Sequence, residues 1–373
     1  MAHMNFKVEV LENFCEDAFE KFGFTAEESK TITDVLLTAD KYGIESHGMQ
    51  RLSRYHKGIE KGLIKMGTEP EIVFETPVSA VIDGHDGMGQ LISVMAMKKA
   101  IEKAEKTGMA MVTVRNSNHY GIAGYYAKMA AEKGFIGMSC TNSEAIMVPT
   151  FSRMAMLGSN PIAVAVPADP YPFLYDASTT VVTRGKLEMY RKAEKPIPSN
   201  WALDKNGNPS TDAPDVLGNI VKKAGGGIMP LGGSEEISGS HKGYGYGMIC
   251  EIFSSILSLG LTSNKTHIDG HAGTCHGFAV IDPAAFGNPE EIKEHFSRFL
   301  VELRDSPKAS GKERVYTHGE KEMLAMERVE KEGVPVDVKT VIEMKQMAEF
   351  LEMDFSEYFG DLSIEGNFES AYN

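Results

Sequence analysis

Between residues 76 and 281, short β-branched runs alternate with helix-length stretches. This alternation restricts the chain to a sheet covered by helices. Residues 78–82, 109–114, 135–141, 162–166, 173–176 and 277–281 read as strands. Residues 91–107 and 120–133 read as helices between them, and 244–258 is apolar enough for a buried helix. The flanks differ. Thr25-Ala26-Glu27-Glu28 has the capping-box pattern, and Ile32, Leu36, Leu37 and Ala39 carry an apolar stripe up to Gly43. Ser46 is placed to cap a second helix that runs through Arg51 and Tyr55 towards Gly62. From Pro289 the pattern is helical again, with Ile292, Phe296, Phe299, Leu300 and Leu303 on one face, and helices follow at 323–329 and 338–353. The expected division is a helical part at 4–75, an α/β part at 76–288 and C-terminal helices at 289–373.

At 373 residues the chain can build two or three domains, and its 42% apolar content excludes disorder. The net charge of -14 repels phosphate backbones, which argues against a nucleic-acid partner. An anionic small substrate must then be held by local cations, so any inward-facing arginine matters. Cys15, Cys140, Cys250 and Cys275 are widely scattered, as expected for reduced thiols in a cytoplasmic protein. Met1-Ala2-His3-Met4 reads as an appended tag before a native start at Met4, and the following Glu9, Glu12, Glu16 and Asp17 are too acidic for a signal peptide. Residues 252–261 form the longest apolar stretch, too short to cross a membrane. The acidic, aromatic-dotted tail after Asp354 is expected to be a surface arm or subunit contact.

One stretch concentrates acid–base chemistry. His47, Arg51 and Tyr55 follow Ser46 at i, i+4 and i+8, and on an α-helix such a series drifts only ~80°. A proton donor, a carboxylate clamp and a hydroxyl on one face suit a small 2-oxo or 2-hydroxy acid, against a solvated polar face as the plain alternative. Asn116-Ser117-Asn118-His119-Tyr120-Gly121 adds a second imidazole at a strand-to-helix junction, where ligands commonly sit. Two glycine clusters invite a dinucleotide-fold reading, but Gly84-His85-Asp86-Gly87-Met88-Gly89 has the wrong spacing and the next strand ends in Arg115-Asn116 without an acid. Gly243-Tyr244-Gly245-Tyr246-Gly247 has no clear strand before it, so close packing explains both clusters. His241-Lys242-Gly243 sets a cation beside a turn. His267, Asp269, His271, Cys275 and His276 have metal-like spacing, yet a solvated loop is the preferred reading over zinc and no metal is expected.

Taken together these segments resemble the type-2 malate/L-lactate dehydrogenase family, which includes sulfolactate and ureidoglycolate dehydrogenases, diketogulonate reductase and a cyclic-imine reductase. The resemblance rests on Ser46-His47-Gly48 with Arg51 and Tyr55, Asn116-Ser117 with His119 and Gly121, and Gly158-Ser159-Asn160-Pro161. It continues through Asp176-Ala177-Ser178, Gly185-Lys186, Trp201-Ala202-Leu203-Asp204, His241-Lys242-Gly243-Tyr244 and Gly319-Glu320. It implies an α/β (α+β) fold: a largely antiparallel, non-Rossmann nicotinamide-binding sheet with a helical domain built from both chain ends, working as a homodimer. It further implies that His47 or His119 is the proton shuttle, His47 being preferred for the face it shares with Arg51 and Tyr55. Ser46 and Asp204 would be relay partners, and Arg51 and Tyr55 would hold the substrate. His119, Ser143, Asn160, Asp176, Ala177, Ser178, Thr179, Lys242, Gly243, Gly319 and Glu320 would line the cofactor, NAD or alternatively NADP. Two departures stand out: His318 where the family often has Pro, and Ala177 where it often has Met. Malate is the preferred substrate, with lactate, sulfolactate, ureidoglycolate or a cyclic imine as alternatives.

A Ser/His hydrolase using Ser46, His47 and Asp204 is the competing reading. Adjacent residues on an α-helix point about 100° apart, which opposes a Ser46–His47 hydrogen bond, and no G-x-S-x-G elbow is present. A non-catalytic binding protein is third; only the concentration of acid–base residues speaks against it. At the start of a helix, His47 is expected to stay neutral.

Overall fold

The computed structural model describes residues 3–268 and 270–362; Met1, Ala2, Asp269 and the tail from 363 lie outside them. Strand β1 (His3–Phe6) precedes helices α1 (Val8–Phe22), α2 (Ala26–Lys41) and α3 (Leu52–Glu60). The capping box forms: the Thr25 hydroxyl accepts the Glu28 N–H at 3.3 Å, and the Glu28 carboxylate accepts the Thr25 N–H at 2.8 Å. His3, read as part of a tag, is paired in β1 opposite Asp337.

Next come β2 (Glu71–Glu75), β3 (Ser79–Asp83), α4 (Gly89–Thr107), β4 (Met109–Ser117), α5 (Ala123–Ala131), β5 (Ile136–Thr141), β6 (Ile162–Val166) and β7 (Phe173–Ala177). A smaller lobe follows: α6 (Arg184–Lys192), β8 (Ala202–Leu203), β9 (Pro209–Ser210), α7 (Ala213–Val221) and β10 (Gly227–Ile228). The chain then runs through α8 (Ser240–Glu251) into β11 (Thr274–Ile281). The main sheet has the order β2-β3-β4-β11-β5-β6-β7. Only β3 and β4 are parallel, joined by the α4 crossover; the other pairs are antiparallel. This is the largely antiparallel sheet expected, and it is not a dinucleotide fold of parallel strands.

Its core is built from small and branched side chains. Ala96, Met97, Ala100 and Ala104 of α4 meet Val112, Val114, Phe278 and Val280 of the central strands. The alanines let the helix lie close to the β-branched surface. Gly89 allows that contact at its start, since a Cβ there would sit 2.4 Å from the Asn118 carbonyl oxygen. The first glycine cluster is therefore a packing device, as is Gly243, whose Cβ would meet the Leu231 carbonyl oxygen at 2.3 Å.

The C-terminal part holds α9 (Pro289–Asp305), α10 (Glu320–Glu332), β12 (Val334–Asp337), α11 (Val338–Phe350) and α12 (Phe355–Phe359). β12 pairs with β1, and Val334, Val336, Val341, Met344 and Met347 join Leu11, Phe14, Ile32, Leu36 and Leu52 in a second core. Both chain ends thus build one helical body. Helix α9 departs from that expectation: Phe296 packs on Phe173 of β7, and Lys293 pairs with Asp169 at 2.9 Å. It stays beside the sheet, and the return begins only at α10.

The helix expected at 244–258 is also corrected. It begins at Ser240, widens into a π-turn at Ile252–Ile256 and is not buried. Tyr246, Ile249, Ile252 and Ile256 are exposed along one side. Its other side, through Gly247, Cys250 and Glu251, carries the packing. Among the described residues no helix is long and apolar enough to cross a membrane.

Candidate active site

The site begins where α2 ends. Gly43, with φ +74°, turns the chain, and two short 3₁₀ turns follow, Glu45–His47 and Met49–Arg51, before α3 starts at Leu52. The single helix expected from Ser46 does not form. Gly48 breaks it because the chain must pass the buried Asp40: a Cβ on Gly48 would lie 2.1 Å from that carboxyl, while Asp40 Oδ2 accepts the Met49 N–H at 2.7 Å. Burial raises the Asp40 pKa to about 8, against the lowering effect of that hydrogen bond.

Ser46 caps no helix. Its hydroxyl lies 3.0 Å from His47 Nδ1, so the Ser46–His47 contact that the helical-spacing argument opposed is present. Arg51 turns back, and its Nε donates to the Ser46 carbonyl oxygen at 2.6 Å. Its guanidinium, only 4% exposed, pairs with buried Glu188 of α6 at 3.3 Å. The expected substrate clamp is thus tied into the protein. Glu188 also accepts from Arg184 Nε at 3.1 Å, and Arg184 reaches Glu144 at 2.6 Å.

The Tyr55 hydroxyl is 2.8 Å from His119 Nδ1. The His47 and His119 rings stack with centroids 5.6 Å apart. Burial lowers the His47 pKa to about 3, and the charges of Arg51 and Arg54 add to the effect. Burial and guanidinium charge, rather than a helix start, therefore favour the neutral imidazole expected of His47. His119 is lowered well below its usual value by burial and by Arg54 and His47. Burial raises the Tyr55 pKa despite the same arginines, which keeps the phenol protonated.

His119 and Tyr55 open onto a cavity of about 220 Å³. Arg54, Lys57, Lys61, Asn118, Glu144, Arg184 and His267 also line it. Sequence reasoning missed Arg54, Lys57 and Lys61, although their i, i+3, i+7 spacing puts a basic stripe on one side of α3 and the turn after it. Glu144, Arg184 and Glu188 gave no local signal, because only tertiary packing brings them to Arg51.

Asp204 is not brought to either imidazole. Its carboxylate accepts the N–H groups of Asn206 and Asn208 at 2.8 and 2.9 Å and closes its own turn. The expected metal-like cluster also separates. His276 lies between the Thr141 and Ser117 hydroxyls, stacked on Tyr120, while His271 bonds Asp86 and His267 faces the cavity. Asp269 lies outside the described residues.

The malate/L-lactate dehydrogenase profile matches residues 6–345 of this chain. The chain belongs to that family. It is 44% identical over 338 residues to the malate dehydrogenase of Pyrococcus horikoshii, covering 90% of this chain and 92% of that one. It is 36% identical over 349 residues to the L-sulfolactate dehydrogenase of Methanocaldococcus jannaschii, covering 92% and 96%. Among solved structures, the malate dehydrogenase of Entamoeba histolytica superposes with a TM-score of 0.92 at 36% identity, over 95% of this chain and 99% of that one. Membership makes the chain an oxidoreductase and implies a nicotinamide cofactor.

The segments expected at the cofactor converge on the β6–β7 edge. The Ser143 N–H donates to Asn160 Oδ1, and the Ser143 hydroxyl accepts the Ser159 N–H, each at 3.2 Å. Thr179 Oγ1 donates to the carbonyl oxygens of Ser159 and Asn160, and Ser178 Oγ to that of Thr180. Gly319 abuts β7 at Pro172 and Leu174, and His318 packs between Phe173 and Tyr175. Ala177 ends β7 opposite Ile162. Asn160 is wholly buried and bonded to Gly247 and Glu251, and Glu320 accepts the Thr317 N–H and pairs with Arg314. These two side chains hold segments together and present no free polar group. Asp176 accepts the Gly124 N–H at 2.6 Å at the start of α5, and Lys242 is exposed in the first turn of α8.

Proposed function

We propose that the chain interconverts malate and oxaloacetate with NAD, with His119 as proton shuttle. The observation that carries this reading is the His119–Tyr55 pair in a cavity edged by Arg54, Lys57, Lys61 and Arg184. In a chain of net charge -14, such a concentration of cations suits a small dianion. A sulfonate could take the place of the distal carboxylate, so sulfolactate is the second reading.

When bound, the nicotinamide cofactor accepts or gives the hydride. The donor set on the β6–β7 edge fits such a group: the Lys242 ammonium for a pyrophosphate, and the Asp176 carboxylate and Ser143 hydroxyl for ribose. Burial raises Asp176 to about 6, with Glu322 adding to the rise. That acidic surrounding disfavours the extra phosphate of NADP and supports NAD.

The chain's own residues manage the proton. In the tautomer that donates from Nδ1 to the Tyr55 phenol oxygen, Nε2 of His119 carries the lone pair that can take the proton of a substrate hydroxyl. In the free protein Arg54 and His47 oppose protonation of His119. A bound carboxylate offsets the arginine charge and raises the imidazole pKa towards the working range. Tyr55 then fixes the ring and shares the charge. Ser46, bonded to His47, orients the stacked neighbour.

We also propose residues 76–288 as the cofactor-binding unit, with 4–75 and the last helices forming the other. The exposed apolar stripe of α8 supports a homodimer. The free, buried cysteines support a cytoplasmic setting.

The test is loss of reduced-nicotinamide absorbance with oxaloacetate, sulfopyruvate and pyruvate, using NADH and NADPH in parallel. Oxaloacetate with NADH is expected to give the highest kcat/KM. A clear preference for pyruvate would refute the dianion reading, and turnover of no 2-oxo acid would refute the activity.

A further inference from the structure

We propose that His267 determines preference for substrates with a second acidic group, donating a hydrogen bond from its imidazole to that distal group. The inference rests on the reading of the cavity as a 2-hydroxy acid site.

His267 lies on the loop before β11, in the segment read from sequence as a solvated loop, yet it lines the same cavity as His119 and Tyr55. Its Nδ1 is buried, and among the described residues it has no hydrogen-bond partner. A buried polar nitrogen left unpaired is costly, and in a residue that lines the cavity a turn of the ring would carry it to a ligand atom that completes the bond. The side chain is held there by its own backbone. Its N–H donates to the Ala272 carbonyl oxygen at 3.1 Å, Ala272 also lines the cavity, and φ at His267 is +54°. A left-handed backbone at a residue other than glycine persists where the surroundings impose it, commonly at ligand sites.

The electrostatics separate two ends of the cavity. His119 feels Arg54, His47 and Arg51, whereas His267 feels Arg54, Glu144, Arg184 and Lys223. Arg54 acts on both imidazoles and lines the cavity with them. Burial, with Arg54 next, lowers the His267 pKa to about 4. It is therefore a neutral donor near pH 7, and Arg184 supplies charge beside it. A substrate whose C1 carboxylate and carbonyl sit at His119 would direct its other acidic group towards this end.

His267→Leu removes the donor at similar size, and His267→Gly removes it while suiting the left-handed backbone. His267→Asn keeps a donor near the Nδ1 position and tolerates that backbone. The ratio of kcat/KM for oxaloacetate over pyruvate is expected to fall about tenfold or more in the Leu and Gly variants, through KM, and to recover in Asn. Equal losses on both acids would overturn the proposal, as would a weakened NADH affinity with an unchanged ratio. Calorimetric titration with malate and lactate separates this contact from the activity. If the parent turns over no 2-oxo acid but binds malate more tightly than lactate, and the Leu and Gly variants lose that difference, the contact stands and the dehydrogenase reading falls. If the variants keep the parent's malate preference, the contact falls.

Discussion

Replacing Arg51 by alanine separates two roles that a buried arginine near a substrate cavity can have. If it clamps substrate, the loss falls on kcat/KM, by roughly 30-fold for a bidentate carboxylate contact worth ~2 kcal/mol. The structure gives it a different task. Its guanidinium is held between the Ser46 carbonyl oxygen and Glu188, with both charged groups almost fully buried. Removing one partner of a buried pair typically costs about 3–5 kcal/mol, because the other is left uncompensated. Here Arg184 remains 3.1 Å from Glu188 and leaves it partly compensated, which brings the cost to the bottom of that range or just below it, about 2–3 kcal/mol.

Urea unfolding of the parent, Arg51→Ala, Arg51→Met, Glu188→Leu and the Arg51→Met/Glu188→Leu pair measures this directly, the last three closing a double-mutant cycle with the parent. The double variant is expected to be less destabilised than the sum of the single ones by ~1 kcal/mol or more, since it leaves no orphan charge. The pair should also mark the acid limb. Burial opposes ionisation of Glu188, but the Arg51 and Arg184 charges outweigh it and hold its pKa below the usual value. Its contribution is then complete above the unfolded carboxylate pKa of about 4.3 and is lost as pH falls through the lower folded value. An Arg51→Ala protein within ~0.5 kcal/mol of the parent, with KM for the 2-oxo acid raised 30-fold, would refute the structural role and restore Arg51 as the clamp.

His119→Asn is expected to lower kcat by about 10²–10⁴ while leaving cofactor affinity intact, and His47→Asn to cost less; steady-state kinetics showing the reverse order would exchange their roles. Asp40 predicts a pH effect of opposite sign to Glu188. Its folded pKa of about 8 lies above the unfolded value, so its contribution is complete at low pH and is lost as pH rises towards 8. Unfolding free energy should decline between pH 5 and 8 by at most ~1.4 kcal/mol per unit, and Asp40→Asn, which keeps an acceptor for Met49, should flatten that slope.

The fold was legible where local signals and packing agree. The capping box at Thr25, the strands at 162–166 and 136–141, and the glycine-assisted packing of α4 needed no tertiary information. The site was legible only in part. Tyr55 and His119 were identified separately, yet their 2.8 Å contact joins α3 to the loop after β4, which no spacing encodes. The helical-face argument for His47, Arg51 and Tyr55 failed because Gly48 leaves helical geometry (φ -91°, ψ -136°) where the backbone runs against Asp40 with no room for a Cβ. Asp204 misled because a Trp-Ala-Leu-Asp motif says nothing of whether its carboxylate is already committed to the turn that follows. The α8 stripe misled similarly, since apolar composition does not distinguish a face turned to the core from one left outside.

Asp40 also explains how the irregular segment from Glu45 to Arg51 is tied down. Short 3₁₀ turns leave backbone groups unpaired, and an exposed segment of that kind would move. Here the buried carboxyl accepts the Met49 N–H, the Arg51 Nε satisfies the Ser46 carbonyl oxygen, and Gly185 of α6 lets Arg51 lie flat, since a Cβ there would meet Nη2 at 2.5 Å. The helical core thus holds one side of the segment through Asp40, and the smaller lobe holds the other through Glu188. His47 is fixed between them, with its ring against His119. Glu188 balances Arg51 inside the protein, while Arg54, Lys57, Lys61 and Arg184 place positive charge on the cavity wall. Burial first, and the arginine charges after it, keep both imidazoles neutral; in the proposed role of His119, a bound carboxylate offsets the Arg54 charge and raises the His119 pKa towards that of a working base.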